Sequence, residues 1–414
     1  MAIEGEGRSS EIPRFISVDD HLVEPHRLWQ DRLPSTYKEQ GPRVQRQKGQ
    51  VVYSPTGQPS FAAADGPEAR WCDVWYYEDT AWPMHAAFAA VGPTALLPAT
   101  TALTYDDLLP GCFDQSHRLA DMDANHTEAS LCFPTVPRFC GQLFLNRRDM
   151  QLAHLCVRAY NDFIIDEWCG GVGRGRLIPL TLVPLWDAAL AADEVRRCAD
   201  LGSHAVAFSE SPSELGLPSI HTGEWEPFFA ACAETNTVIN MHIGSSSKQS
   251  QTSPGAPMIA MVALTSEHSV HALVDWLLCG ALGRYPSLKI ALSESQVGWM
   301  PFILERLDSA WRRSKNYDPS IYQRIPEPPS SYVPNRVFAC VFDDSVGLAL
   351  RDHVGMGQIM FETDYPHADS TFPESKQVAE KMIAESALSP SEAYRFLRTN
   401  AIACYDLQQF GIER

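Results

Sequence analysis

Four stretches of the chain gather histidines and carboxylates at spacings that suit metal chemistry. The first is Asp19-Asp20-His21-Leu-Val-Glu24 and the second ends in His242. The third is Ser293-Glu294 and the fourth is Glu362-Thr-Asp364-Tyr-Pro-His367. Asp19 and His21 are two positions apart, so on an extended strand both side chains leave the same face. With His242 and Asp364 they make a set of two imidazoles and two carboxylates. Such donors suit zinc foremost, and also manganese or iron. No Cys-x-x-Cys pair occurs, so a closed thiolate cage is not expected and the ion should be catalytic. Glu294 is a candidate general acid or base, a role that needs a raised pKa in a carboxylate. His367 is a second candidate for proton transfer, and Asp364 is a candidate base as well as a ligand. Glu24 is placed to hydrogen-bond a ligand histidine from behind, or to sit at a helix start. Asp344, beside Asp343, reads as a supporting acid near the pocket or as a helix N-cap.

These residues must be positioned by regular elements. Eight short apolar, β-branched runs begin at Phe15, Ala129, Leu177, Ala205, Val238, Lys289, Val337 and Ile359. Each reads as a buried parallel strand. Helical periodicity lies between most of them. Met150, Leu152, Leu155, Cys156, Ala159, Tyr160, Phe163 and Ile164 form one apolar stripe. Asp187 can cap a helix over 188–201, and Gly202 can end it. Ser-Pro-Ser-Glu at 389–392 opens a last helix. Eight strands alternating with helices predict an α/β fold, a distorted (β/α)8 TIM barrel. A doubly wound open sheet is the competing architecture, but no glycine-rich phosphate loop follows the first strand. In a barrel, functional residues cluster at the C-terminal ends of strands, where the four stretches above fall. The chain reads as a single domain over 1–414. Residues 30–110, rich in Pro, Gly, Trp and Tyr, form an insertion after the first strand, over the barrel mouth or at a subunit interface. Its aromatics include Trp71, Trp75, Tyr76, Tyr77 and Trp82.

Composition narrows the function classes. The 414 residues carry 33 Lys and Arg against 51 Asp and Glu, a net charge of −18. A chain this acidic lacks the basic face that nucleic acid requires. The polar N-terminus has no signal-peptide pattern, and no apolar run is long enough to span a membrane. Eleven cysteines, several within apolar runs, read as buried free thiols of a cytoplasmic protein. The expected partners are a small-molecule substrate and further copies of the chain, as a homodimer or higher homo-oligomer.

Four motifs, in order, resemble the amidohydrolase-related family of the amidohydrolase superfamily. They are Val18-Asp-Asp-His-Leu-Val-Glu-Pro25, Met241-His-Ile-Gly244, Ser293-Glu-Ser-Gln-Val-Gly-Trp-Met-Pro301 and Phe361-Glu-Thr-Asp-Tyr-Pro-His-Ala-Asp-Ser-Thr-Phe-Pro373. The resemblance runs from about residue 15 to 407 and is similar to the branch of aminocarboxymuconate-semialdehyde, γ-resorcylate and 5-carboxyvanillate decarboxylases. It implies a barrel with one catalytic divalent metal, with ligands falling on Asp19, His21, His242 and Asp364. The family's sixth-strand histidine is replaced here by Glu294. The resemblance implies a metal-dependent decarboxylase of a small aromatic or enoic acid, in which Glu294, with His367, supplies the proton. A metal-dependent hydrolase of an amide, lactone or carbon–carbon bond is the alternative, with Glu294 or Asp364 as base. A metal-binding protein without turnover is the third reading.

Overall fold

The computed structural model describes residues 12–53 and 59–413. Strand β1 (Phe15–Leu22) leads into a four-stranded antiparallel sheet, β2 (Arg43–Tyr53), β3 (Pro59–Ala63), β4 (Arg70–Tyr77) and β5 (Thr80–Pro83). Parallel strands then resume with β6 (Thr127–Pro134), β7 (Leu177–Ile178), β8 (Ala205–Phe208) and β9 (Val238–His242). They end with β10 (Ile290–Ser293), β11 (Val337–Val341) and β12 (Ile359–Phe361). These strands coincide with the eight apolar runs, because a strand covered on both faces needs no polar alternation.

One ladder runs β1-β6-β7 and another β8-β9-β10-β11-β12. A parallel bridge between Thr181 and Val206 joins them. The circle closes between the segment after β12 and β1. The Asp364 N–H donates to the Asp19 carbonyl (3.0 Å), and the His21 N–H donates to the Tyr365 carbonyl (2.6 Å). The result is a closed, distorted (β/α)8 barrel. Strand β7 is only two residues long because Pro179 follows and cannot donate to a ladder.

The expected helices form around it. Met150–Phe163 buries its apolar stripe. Asp187 caps Ala188–Asp200 by accepting from the N–H groups of Ala189 and Leu190. Ser389 and Glu392 close a reciprocal capping box. Arg118, fully buried, donates to the carbonyls of His21 (2.5 Å) and Gly111 (2.8 Å) and lies 4.1 Å over the Tyr365 ring. It thereby braces the closing seam from below.

Residues 30–110 show little periodicity in sequence, yet they contain a sheet ordered β3-β2-β4-β5. Its alternation is visible on β4. Cys72 and Val74 pack into a small cluster with Ala102, while Trp75 and Tyr77 join the barrel's core. Trp71 is 59% exposed. The following segment is bonded to the loop after β12: Ala90 N–H donates to Pro366 (2.7 Å), and Ala368 N–H donates to Ala87 (3.2 Å). No helix among the described residues is long and apolar enough to cross a membrane.

Candidate active site

The C-terminal ends of β1, β9, β10 and β12 deliver one cluster of side chains. Strand β1 changes register between Ser17 and Asp20, and such irregularities re-aim side chains. Asp19 and His21 face the barrel axis. Asp20 turns away and accepts from Ser17 Oγ (2.9 Å), Thr363 Oγ1 (2.5 Å), the Tyr365 N–H (3.1 Å) and Ser130 Oγ. His242 ends β9 and pairs in register with Ser293 on β10, which sets Glu294 beside it. The seam bond to Asp19 sets Asp364 on the other side.

The geometry is tight. His21 Nε2 lies 3.1 Å from His242 Nε2, 3.5 Å from Asp19 Oδ1 and 3.4 Å from Asp364 Oδ1. His242 Nε2 lies 3.6 Å from Asp19 Oδ2 and 3.3 Å from Glu294 Oε1. His367 Nδ1 is 3.0 Å from Asp364 Oδ1 and 3.8 Å from Glu294 Oε1, and its ring stacks on His21 at 3.6 Å. Glu294 and Asp364 both adopt positive φ, +52° and +54°, a conformation uncommon outside glycine and frequent at functional sites.

This donor set fits a cation. The His242 Nδ1–H donates to the Ile243 carbonyl (2.6 Å), so its Nε2 presents a lone pair. That lone pair faces the other imidazole, Asp19 and Glu294. Both oxygens of Asp19 and both of Asp364 are buried without a hydrogen-bond donor among the described residues. Burial, and then the neighbouring carboxylates Glu362 and Glu294, push Asp19 well above its ordinary range. Burial and Glu294 do the same to Asp364. Burial, with the adjacent His367 and His242, holds His21 well below its usual value. Neutral imidazoles and mutually repelling carboxylates around one point are what a divalent ion relieves. Glu294 behaves oppositely: burial raises it, but His242 and His367 beside it pull it well below the carboxylate range.

Glu24 and Asp344 do not touch this cluster through their hydrogen bonds. Glu24 accepts from the N–H groups of Thr135 (3.1 Å) and Val136 (2.8 Å). Asp344 accepts from those of Val297, Gly298 and Gly347, which caps one helix and pins the loop after Glu294. Three further residues do meet the site. Glu362 Oε2 accepts from the Glu294 N–H (3.2 Å) and from Cys340 Sγ (2.5 Å), and Asp19, Cys340 and Glu362 form a second tight donor group. Glu362 stands two positions before Asp364, the same spacing that singled out Asp19 and His21. Phe139 stacks on His242 at 4.2 Å and 12°, for which the sequence offers no pattern.

A cavity of about 320 Å³ opens above the cluster, within the range of small-molecule sites. Its floor includes His242, Glu294, Asp364 and His367, and its walls include Phe139, Phe88 and Trp82. Trp82 and Phe88 come from residues 30–110, and Phe88 lies 5.7 Å from the His367 ring.

No curated protein is significantly similar to the chain. Solved structures share its fold. An amidohydrolase from Mycobacterium avium subsp. paratuberculosis superposes with a TM-score of 0.66 at 20% identity, covering 95% of this chain and 99% of that one. A 5-carboxyvanillate decarboxylase from Novosphingobium aromaticivorans, complexed with manganese and 4-hydroxy-3-methoxy-5-nitrobenzoic acid, gives 0.61 at 17%, covering 96% and 97%. A 2,6-dihydroxybenzoate decarboxylase from Rhizobium gives 0.60 at 16%, covering 96% and 100%. The amidohydrolase family model matches residues 74–407, a span that begins after β1 and therefore leaves out Asp19 and His21. With most of its length matched by that model, and with a metal-ready cluster at the mouth of the barrel, the chain belongs to the amidohydrolase family of enzymes.

Proposed function

We propose that this enzyme is a metal-dependent decarboxylase of a small aromatic carboxylic acid. The observation that supports the reading is a pair of tight donor groups sharing His21, one with Asp19 and His242 and one with Glu294, Asp364 and His367, beneath an aromatic-walled cavity. Asp19, His21, His242 and Asp364 would hold one divalent ion. The manganese in the 5-carboxyvanillate decarboxylase supports manganese beside zinc, and a donor set with two carboxylates accepts either. Held there, the ion would supply Lewis-acid chemistry towards a bound carboxylic acid.

The protein's own groups do the rest. Phe139, Phe88 and Trp82 hold the ring in one plane and exclude water. His367 carries the proton at the cavity floor, with the Glu294 carboxylate 3.8 Å from its Nδ1. That proton passes to the ring carbon, the bond from that carbon to the carboxyl group breaks, and carbon dioxide leaves. His367 then recovers a proton from solvent through the cavity.

Hydrolysis is the second reading, and the low pKa of Glu294 favours it, since an ionised carboxylate accepts a proton from water more readily than it donates one. Product analysis separates the two. Enzyme reconstituted with manganese or zinc should release carbon dioxide from hydroxylated benzoates and leave the decarboxylated phenol. Cleavage of lactones or amides, with no carbon dioxide from any aromatic acid, would overturn the decarboxylase reading. Binding of the ion without turnover on either panel would reduce the protein to a metal binder.

A further inference from the structure

Arg138 lies on the wall of the same cavity, in the turn after β6 and next to Phe139. Its backbone is held at a φ of +62°, a conformation that a long side chain rarely adopts without a local reason. The side chain is partly buried, and its guanidinium lies 5.5 Å over the ring of Trp82. Among the described residues it has no carboxylate partner and no side-chain hydrogen bond. The other strong cation on the wall, Lys248, is paired with Glu214 at 3.5 Å. Burial lowers the pKa of Arg138. Arginine nevertheless keeps its charge, so a cation without an ion-pair partner among the described residues lines the cavity.

The neighbouring Phe139 stacks on His242, so the arginine and the metal-ligand candidates His242 and Asp364 line one aromatic-walled cavity. We propose that Arg138 binds a second anionic group of the substrate, making the substrate an aromatic acid with two acidic substituents. One substituent faces the histidine and aspartate floor, and the other, a carboxylate, receives the planar fork of Arg138. The proposal rests on the aromatic-acid reading above and narrows it from aromatic acids in general to doubly anionic ones.

Calorimetric titration of the metal-loaded enzyme with isophthalate and with benzoate tests it. The wild type should bind isophthalate at least about tenfold more tightly, the value of one charge-assisted pair in a partly dry site. R138Q should lose that preference while its affinity for benzoate stays within about twofold. R138K, which keeps the charge but not the fork, should retain part of it. Equal affinities in the wild type would overturn the assignment, whatever the variants do. A preference that survives in R138Q would overturn it too. Benzoate binding without discrimination would reject Arg138 alone, whereas failure of both acids to bind would reject the aromatic-acid reading with it.

Discussion

Glu24 offers a quantitative test of how the site's wall is held. Its carboxylate is fully buried and accepts from the backbone of Thr135 and Val136, the residues that lead into Arg138 and Phe139. Burial outweighs those two hydrogen bonds and pushes the carboxyl from 4.5 up to about 8. Between these values the folded protein keeps a proton that the unfolded chain has released. A raised acid of this kind contributes stability that is complete below pH 4.5 and is lost as pH rises through 8. At roughly 1.4 kcal/mol for each pH unit, the whole window is worth about 5 kcal/mol. Glu24→Gln keeps the shape and one acceptor but cannot titrate. Urea unfolding of metal-loaded wild type and variant, at fixed pH from 5 to 8.5, should therefore give curves that converge or cross. The variant loses at acid pH, because its amide faces a backbone N–H, and gains steadily from about pH 5 to about pH 8. Every other titrating group cancels in the difference. Parallel curves, or a wild-type advantage that grows with pH, would refute the reasoning and show that the two backbone bonds hold Glu24 ionised.

Other variants address the floor and the seam. His242→Ala should reduce the bound divalent ion from one per chain to a small fraction while circular dichroism stays unchanged; a full complement of metal would remove His242 from the ligand set. Glu294→Gln should cost about 10²-fold or more in turnover with the ion retained. Loss of the ion in that variant would make Glu294 a ligand instead, and full activity would leave the proton to His367. Gly111→Ala places a methyl group against Asp121 Oδ2 and Tyr365 Oη, which are hydrogen-bonded to each other. It should lower stability by about 1–3 kcal/mol, and an unaltered melting temperature would show that this corner of the seam can relax.

The barrel was readable in the sequence because its strands are apolar throughout, so each stands out as a short run between amphipathic helices. The ligand candidates were readable for the complementary reason. Histidine and carboxylate at Asp19, His21, His242, Glu294 and Asp364 interrupt those runs at the end where a barrel opens. The antiparallel sheet at 43–83 left a weaker trace, since one face of β4 buries only Cys72 and Val74 and strand β2 is largely polar. Glu24 and Asp344 were expected to support the pocket, but their carboxylates are committed to backbone N–H groups, a choice made by loop geometry that spacing does not encode. Arg138 and Phe139 follow β6 at a turn of positive φ. Nothing local marks them, because their importance comes from what stands across the cavity. Glu362 carried a usable signal, its two-residue offset from Asp364.

The seam between β1 and the segment after β12 has a consequence for how the protein is made. Asp19 and Asp364 are hydrogen-bonded neighbours in space although nearly the whole chain separates them. On the ribosome, the first strand emerges early and must wait, unpaired along one edge, until the last strand is released. Strand β6 can cover its other edge in the meantime, and Arg118 can brace it there. The binding cluster therefore cannot assemble cotranslationally from the N-terminal half. It is complete only when the last strand docks on the first, so a product truncated before β10 would possess Asp19, His21 and His242 but lack Glu294, Asp364 and His367.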